Sequence, residues 1–249
     1  MSVSSYYSLS PATYDEQFWW KKDDLEFWKS VVSNKNNTVL ELASGTGRIG
    51  IPLVKENIQY TGLDISKKYV DYANSKLPEN FSNAFYQGDM RSFNLKKKYD
   101  VIIIGFNSFL HLLTNSDAKK CLNAIKLHMK KKSFLYIDMF IPHPLFLYRP
   151  KASKIKVIDF YDSSIKNHSK IEETLSYNSK SEIASVTWHY LDKEGTPYMR
   201  FKFKMKMYYP DTINRLLIEA GLNIKNIWGS YEFEKCNEES ALQIYKCTL

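Results

Sequence analysis

The chain has 249 residues, of which 44% are hydrophobic, 25% charged and 15% aromatic; this suits one large globular domain, or one domain with an insertion, and excludes a disordered chain. No apolar run approaches the ~20 residues that cross a bilayer, and the opening MSVSSYYSLSPATYDEQ has neither the basic nor the apolar region of a signal peptide. A net charge of +8 admits a nucleic-acid partner, but no RNA-recognition or zinc-finger pattern accompanies it and lysine is abundant throughout.

Residues 1–20 are rich in aromatics (Tyr6, Tyr7, Tyr14, Phe18, Trp19, Trp20) and lack strong helical periodicity. Asp24 to Val32 reads as a helix with Leu25, Trp28, Val31 and Val32 on one stripe. Strand and helix signals then alternate: strands over Thr38–Ala43, Gln59–Asp64, Asn83–Gly88, Tyr99–Gly105 and Phe134–Phe140, with helices over Ile49–Asn57, Lys67–Lys76 (capped by Ser66) and from Ser116 or Asp117 to Met129. The apolar centre of YDVIIIG is that of a strand buried on both faces. This repetition predicts an α/β fold with a doubly wound parallel sheet. After Pro142 the spacing changes, and residues 171–209 show period-2 alternation, with Val186–Leu191 and Tyr198–Tyr209 flanking a turn at Asp192–Pro197. We expect an inserted antiparallel layer over 143–209. A helix over Asp211–Ala220, closed by Gly221, and strands over Leu222–Trp228 and Ala241–Cys247 complete the chain.

Cys121, Cys236 and Cys247 are scattered and odd in number, and the five histidines show no ligand spacing. The expectation is a reducing, cytoplasmic setting and no metal.

The informative stretch is VLELASGTGRIG, residues 39–50. A strand ends there, and Gly45 and Gly47 let a flat ligand approach the main chain. Asp64 follows at the tip of the second strand, where a carboxylate can accept both hydroxyls of a ribose. Asp89 and Met90 follow the third, where an acid can meet an exocyclic amine and Met90 can pack on a purine. Gly45, Gly47 and Gly50 also spell the dinucleotide fingerprint. Against that reading, 37 residues precede the first strand and no second mononucleotide-binding half follows.

ELASGTGR (41–48), Asp64, GDM (88–90) and FNSFLHL (106–112) together resemble the motifs of class I S-adenosylmethionine-dependent methyltransferases, in order and spacing. Ala43 stands where a glycine is more usual, a change expected to narrow the turn. The resemblance is strong over 38–141 and returns over 205–247. It is greatest to small-molecule members of the sugar-amine and glycine N-methyltransferase type. It implies a Rossmann-like seven-stranded sheet whose last strand is antiparallel. It also implies a cofactor-binding domain over 1–142 and 210–249, with 1–37 as a helical cover, and an inserted antiparallel β lid over 143–209.

The cofactor implied is S-adenosylmethionine, leaving as S-adenosylhomocysteine. Its expected contacts are Tyr14, Trp20, Glu41, Ala43, Ser44, Gly45, Gly47, Arg48, Asp64, Ile65, Asp89, Met90, Arg91 and Phe106. Glu41 would order the glycine loop or reach the methionine ammonium through water, and Arg48 would meet the methionine carboxylate or remain a solvated arginine. Asn107, His111, Trp188, Tyr208, Trp228 and Tyr231 are candidates for the acceptor side, each with interior packing as the alternative. His111 and Tyr14 are the candidate catalytic groups; His111 is either a core histidine or a group that orients acceptor and takes a proton. The acceptor expected is a small organic molecule methylated on nitrogen or oxygen, and the protein a monomer or homodimer. The alternatives are a methyltransferase acting on RNA or protein, or a non-catalytic nucleotide-binding module.

Overall fold

The computed structural model describes residues 9–32, 34, 36–79, 81 and 83–249, so Tyr6 and Tyr7 of the aromatic segment lie outside the described residues. The chain forms two compact units. One takes the chain up to Lys22 together with Pro142–Met207, and the other is Asp23–Ile141 with Tyr208–Leu249. The expected boundary, with all of 1–37 in the cofactor domain, differs from this grouping.

Helix α1 (Pro11–Gln17) belongs to the first unit. Ser10 caps it, its Oγ accepting from Thr13 N at 2.9 Å, and Pro11 supplies a preset φ at the first helical position. Seven residues are too few to show an apolar stripe, so composition concealed this helix.

In the second unit, α2 (Leu25–Val31) buries Phe27 and Trp28. Then come β1 (Thr38–Leu42), α3 (Gly50–Lys55), β2 (Gln59–Asp64), α4 (Lys67–Ser75), β3 (Phe85–Gln87) and β4 (Tyr99–Ile104). A 3-10 turn at Ser108–His111 leads to α5 (Asn115–Leu127) and β5 (Met129–Phe140). The strands pair in parallel, β1 with β2 and β4, β2 with β3, and β4 with β5. Every residue of β1 is buried, as helices on both faces require. β5 starts before the predicted Phe134 because Lys130–Lys132, exposed and polar, are already strand. The ladder with β4 shifts register there, between Tyr99↔Met129 and Val101↔Phe134.

The antiparallel unit continues with α6 (Pro144–Leu147), β6 (Ile155–Asp162), β7 (Asn167–Asn178), β8 (Ile183–Asp192) and β9 (Pro197–Lys206), in the order β6-β7-β8-β9. The expected hairpin is β8–β9. Its inner face buries Val186, Trp188, Tyr190, Phe201 and Phe203 while Lys202 and Lys204 stay exposed. Lys206 breaks that alternation: it is buried, and its ammonium pairs with Glu182 at 2.9 Å. α1 packs on β6; Gln17 Oε1 accepts from Tyr190 Oη at 2.6 Å, and Glu16 Oε2 accepts from Ser163 N at 3.1 Å.

The chain then returns to the second unit. α7 (Pro210–Glu219) buries Ile213, Leu216 and Leu217, and Gly221 stands just beyond it at φ +75°. β10 (Asn223–Trp228) and β11 (Leu242–Thr248) complete a seven-stranded sheet of order β10-β11-β5-β4-β1-β2-β3. β11 is antiparallel to both neighbours. Among the described residues, no helix is long and apolar enough to cross a membrane.

Candidate functional site

The parallel strands present the glycine turn, Asp64, Asp89 and Phe106 together at their carboxyl ends, where open α/β sheets bind ligands. After β1 the backbone enters the left-handed region three times, at Ala43 (φ +56°), Gly45 (+55°) and Gly47 (+86°). A Cβ on Gly47 would lie 2.9 Å from both Ile51 Cδ1 and Phe85 Cζ, so a side chain there must displace them on top of the strain of its left-handed backbone. A Cβ on Gly45 would meet no atom within 4 Å; the main chain at this point faces open space. Ala43 holds a left-handed conformation that costs an L-residue ~1–2 kcal/mol, a cost that glycine would not carry.

Asp64 ends β2 and is 4% exposed. Its Oδ2 accepts from Gly45 N at 2.9 Å and its Oδ1 from Ser66 N at 2.8 Å. The carboxylate therefore ties the tip of β2 to the glycine turn. Burial pushes its pKa up to about 6, against the opposing pull of the two N–H donors. Each oxygen keeps one further acceptor position. Ser44 is buried beside the turn and Ile65 is half-buried after Asp64.

Glu41 is 4% exposed inside β1 and accepts from Tyr60 Oη at 2.5 Å. Burial raises its pKa to about 8, with Tyr60 and Arg48 opposing, so the carboxyl is largely neutral at pH 7. Arg48 makes a fork to Asp24, Nη1–Oδ1 2.6 Å and Nη2–Oδ2 2.8 Å. Asp24 is fully buried and also accepts from Trp28 Nε1 at 3.0 Å. The guanidinium lies over the Phe106 ring, 5.1 Å from its centroid. The fork expected to meet a methionine carboxylate is thus engaged by Asp24, and Arg48 links α2, the glycine turn and the end of β4. Sequence reasoning missed Asp24 and Tyr60, because no local pattern pairs residues 24 and 19 positions apart.

Asp89 and Met90 follow β3, both half-buried. Arg91 Nε reaches Asp89 Oδ1 at 2.9 Å and Nη2 reaches Oδ2 at 2.5 Å, which lowers the Asp89 pKa. Asp117 is a second partner of Arg91, at 3.5 Å. Both Asp89 oxygens therefore face a guanidinium rather than standing open for an exocyclic amine. Beyond β4, Phe106 (φ +53°) and Asn107 (+62°) are consecutive left-handed residues, a conformation held only where neighbours enforce it. Asn107 Oδ1 accepts from Phe140 N at 2.7 Å and joins the ends of β4 and β5. His111 ends the 3-10 turn, half-buried.

Several acceptor-side candidates are interior groups of their own units. Tyr208 is fully buried and its hydroxyl donates to Leu112 O at 2.5 Å. Tyr231 donates to Asp138 Oδ2 at 2.5 Å. Trp228 packs with Phe27, Tyr136 and Phe233. In the antiparallel unit, Trp188 Nε1 donates to Glu173 Oε2 at 2.8 Å while its ring meets Phe203. There too, Tyr14 packs edge-on against Phe18, 4.8 Å between centroids, and Trp20 is exposed.

Residues 39–132 match the family model for a methyltransferase domain. The chain is 27% identical over 132 residues (53% of this chain, 50% of the relative) to a Bacillus subtilis (strain 168) protein provisionally designated methyltransferase YqeM. It is 26% identical over 102 residues (41% and 42%) to the dTDP-3-amino-3,4,6-trideoxy-alpha-D-glucopyranose N,N-dimethyltransferase of Streptomyces venezuelae. The chain spans about half the length of the curated relatives it matches. A crystal structure of an S-adenosylmethionine-dependent methyltransferase from Clostridium acetobutylicum ATCC 824 shares the fold, with a TM-score of 0.74, 19% identity and coverage of 95% of this chain and 96% of that one. The residues that match the methyltransferase-domain model reach from β1 to the start of β5, and the chain shares the fold of the solved S-adenosylmethionine-dependent methyltransferase.

Proposed function

We propose that the chain transfers a methyl group from S-adenosylmethionine to a nitrogen or oxygen of a small organic acceptor, an amino sugar being the acceptor class favoured by the Streptomyces relative. The observation that carries this reading is the open space over the left-handed Gly45, bordered by the buried carboxylate of Asp64. That turn fits the cofactor, since a flat ligand can reach the main chain at Gly45, whereas the space at Gly47 is taken by Ile51 and Phe85. Once bound, the cofactor supplies an activated methyl on a sulfonium.

The protein's part is then alignment and exclusion of water. Asp64 would take ribose hydroxyls on its two remaining acceptor positions. Met90 would meet the adenine face, and Phe106, held by Arg48, would border the reacting end. Glu41, Ala43, Ser44, Gly47 and Ile65 shape the turn, while Arg48 and Arg91 act through Asp24 and Asp89. His111 would orient the acceptor and take its proton at an imidazole nitrogen. The test is calorimetry with S-adenosylhomocysteine, followed by methyl-transfer assays with amino-sugar acceptors. Saturable binding and turnover support the reading; a folded protein that binds no S-adenosylhomocysteine overturns it.

A further inference from the structure

We infer that the antiparallel unit carries a second, anion-binding site that takes the phosphate of a small phosphorylated molecule. A cavity of about 660 Å³ lies at the β7–β8 turn end of that sheet. Ser176, Ser185 and Lys204 form one cross-strand row, since Ser176 pairs with Ser185 and Ser185 with Lys204. Lys180 comes from the β7–β8 turn and Lys151 from the segment between α6 and β6, so three lysines from separate stretches of chain line one concavity. Among the described residues, no carboxylate lines it.

Other lysines of the same unit have acidic partners: Lys154 and Lys170 pair with Glu172, Lys156 with Asp159, and Lys206 with Glu182. Among the described residues, Lys151, Lys180 and Lys204 have no such ion pair. Glu182, the acid nearest in sequence to the turn, is held by Lys206. Lysines on an edge strand discourage edge-to-edge pairing, which accounts for Lys202 and Lys204 on β9. It does not account for Lys151 and Lys180 converging on the same cavity.

Three cations with surrounding hydroxyls match a group of two or more negative charges and several acceptor oxygens, which phosphate supplies and a lone carboxylate does not. The cavity is far larger than a phosphate, and Tyr177 and Ile183 in its lining offer apolar surface to the remainder of an ester. This inference does not rest on the methyl-transfer reading.

The experiment is calorimetric titration of the full chain with pyrophosphate at fixed ionic strength. Wild type should bind saturably, and each of K151A, K180A and K204A should weaken binding by about tenfold, the loss of one charge-assisted contact. K202A, on the same strand but outside the lining, should bind like wild type. S-adenosylhomocysteine binding should persist in the triple variant, which separates this site from the cofactor site. The absence of saturable binding, an equal loss in K202A, or binding of a single-stranded RNA without binding of pyrophosphate would each overturn the inference.

Discussion

Replacing Asp64 by asparagine removes a buried charge while keeping the side chain's shape. Of the two main-chain bonds, from Gly45 N and Ser66 N, one survives on the amide oxygen. The other N–H then faces an NH2 group, and a lost bond to a charged acceptor is worth ~1.5–3 kcal/mol. Against this, the wild-type fold holds an ionised carboxylate whose pKa is raised from 3.8 to about 6; at 1.36 kcal/mol per unit that is a penalty of about 3 kcal/mol, which asparagine relieves. The two effects nearly cancel, so the thermal midpoint should move little. Cofactor affinity should not escape, because two ribose hydroxyls would lose their charged acceptor. Calorimetry with S-adenosylhomocysteine at pH 7.5 should show a rise in Kd of more than tenfold. Wild-type affinity should also fall as pH drops through about 6 and Asp64 takes a proton, while the variant stays flat. For stability the sign is opposite. The penalty is absent below pH 3.8, where the group is protonated folded and unfolded; it grows between 3.8 and about 6 and is constant above. A well-folded D64N with unchanged Kd would refute the ribose assignment.

Glu41→Gln should be tolerated, because the buried carboxyl is neutral below about pH 8. The stability of wild type relative to E41Q should fall as pH rises from 4.5 to about 8 and then level off, followed by circular-dichroism melts; parallel curves would contradict a buried Glu41 proton. Gly47→Ala drives a methyl into Ile51 and Phe85 and should cost ~2–4 kcal/mol of stability through strain and overpacking. Gly45→Ala should cost ~1–2 kcal/mol from its backbone alone yet block S-adenosylhomocysteine, a contrast that melts and calorimetry resolve together. Asp24→Ala leaves Arg48 without its fork and should cost ~3–5 kcal/mol in urea unfolding; a loss under ~1 kcal/mol would show that the Asp24–Arg48 pair does not hold the glycine turn in place.

What could be read from the amino acids alone was local in origin. The apolar run of β4, the glycine turn after β1 and the lysine–phenylalanine alternation of β9 each announce their burial within a few residues, because period 2 and fully buried strands leave a composition trace. β6 was hidden: its mainly exposed residues leave little contrast between faces. β5 was clipped because three lysines occupy strand positions, and α1 was marked only by Ser10 before Pro11. The candidate site was legible as a place, through Gly45, Asp64, Asp89 and Phe106, but not as a set of partners. Arg48 meeting Asp24, Asp64 accepting from the Gly45 main chain, Arg91 covering Asp89 and Glu41 kept neutral beside Tyr60 all depend on residues distant in sequence. Burial and pairing of charges are properties of the packed chain, where dielectric and distance are decided by tertiary contacts; a sequence motif states which groups are present and leaves their protonation and occupancy to the fold.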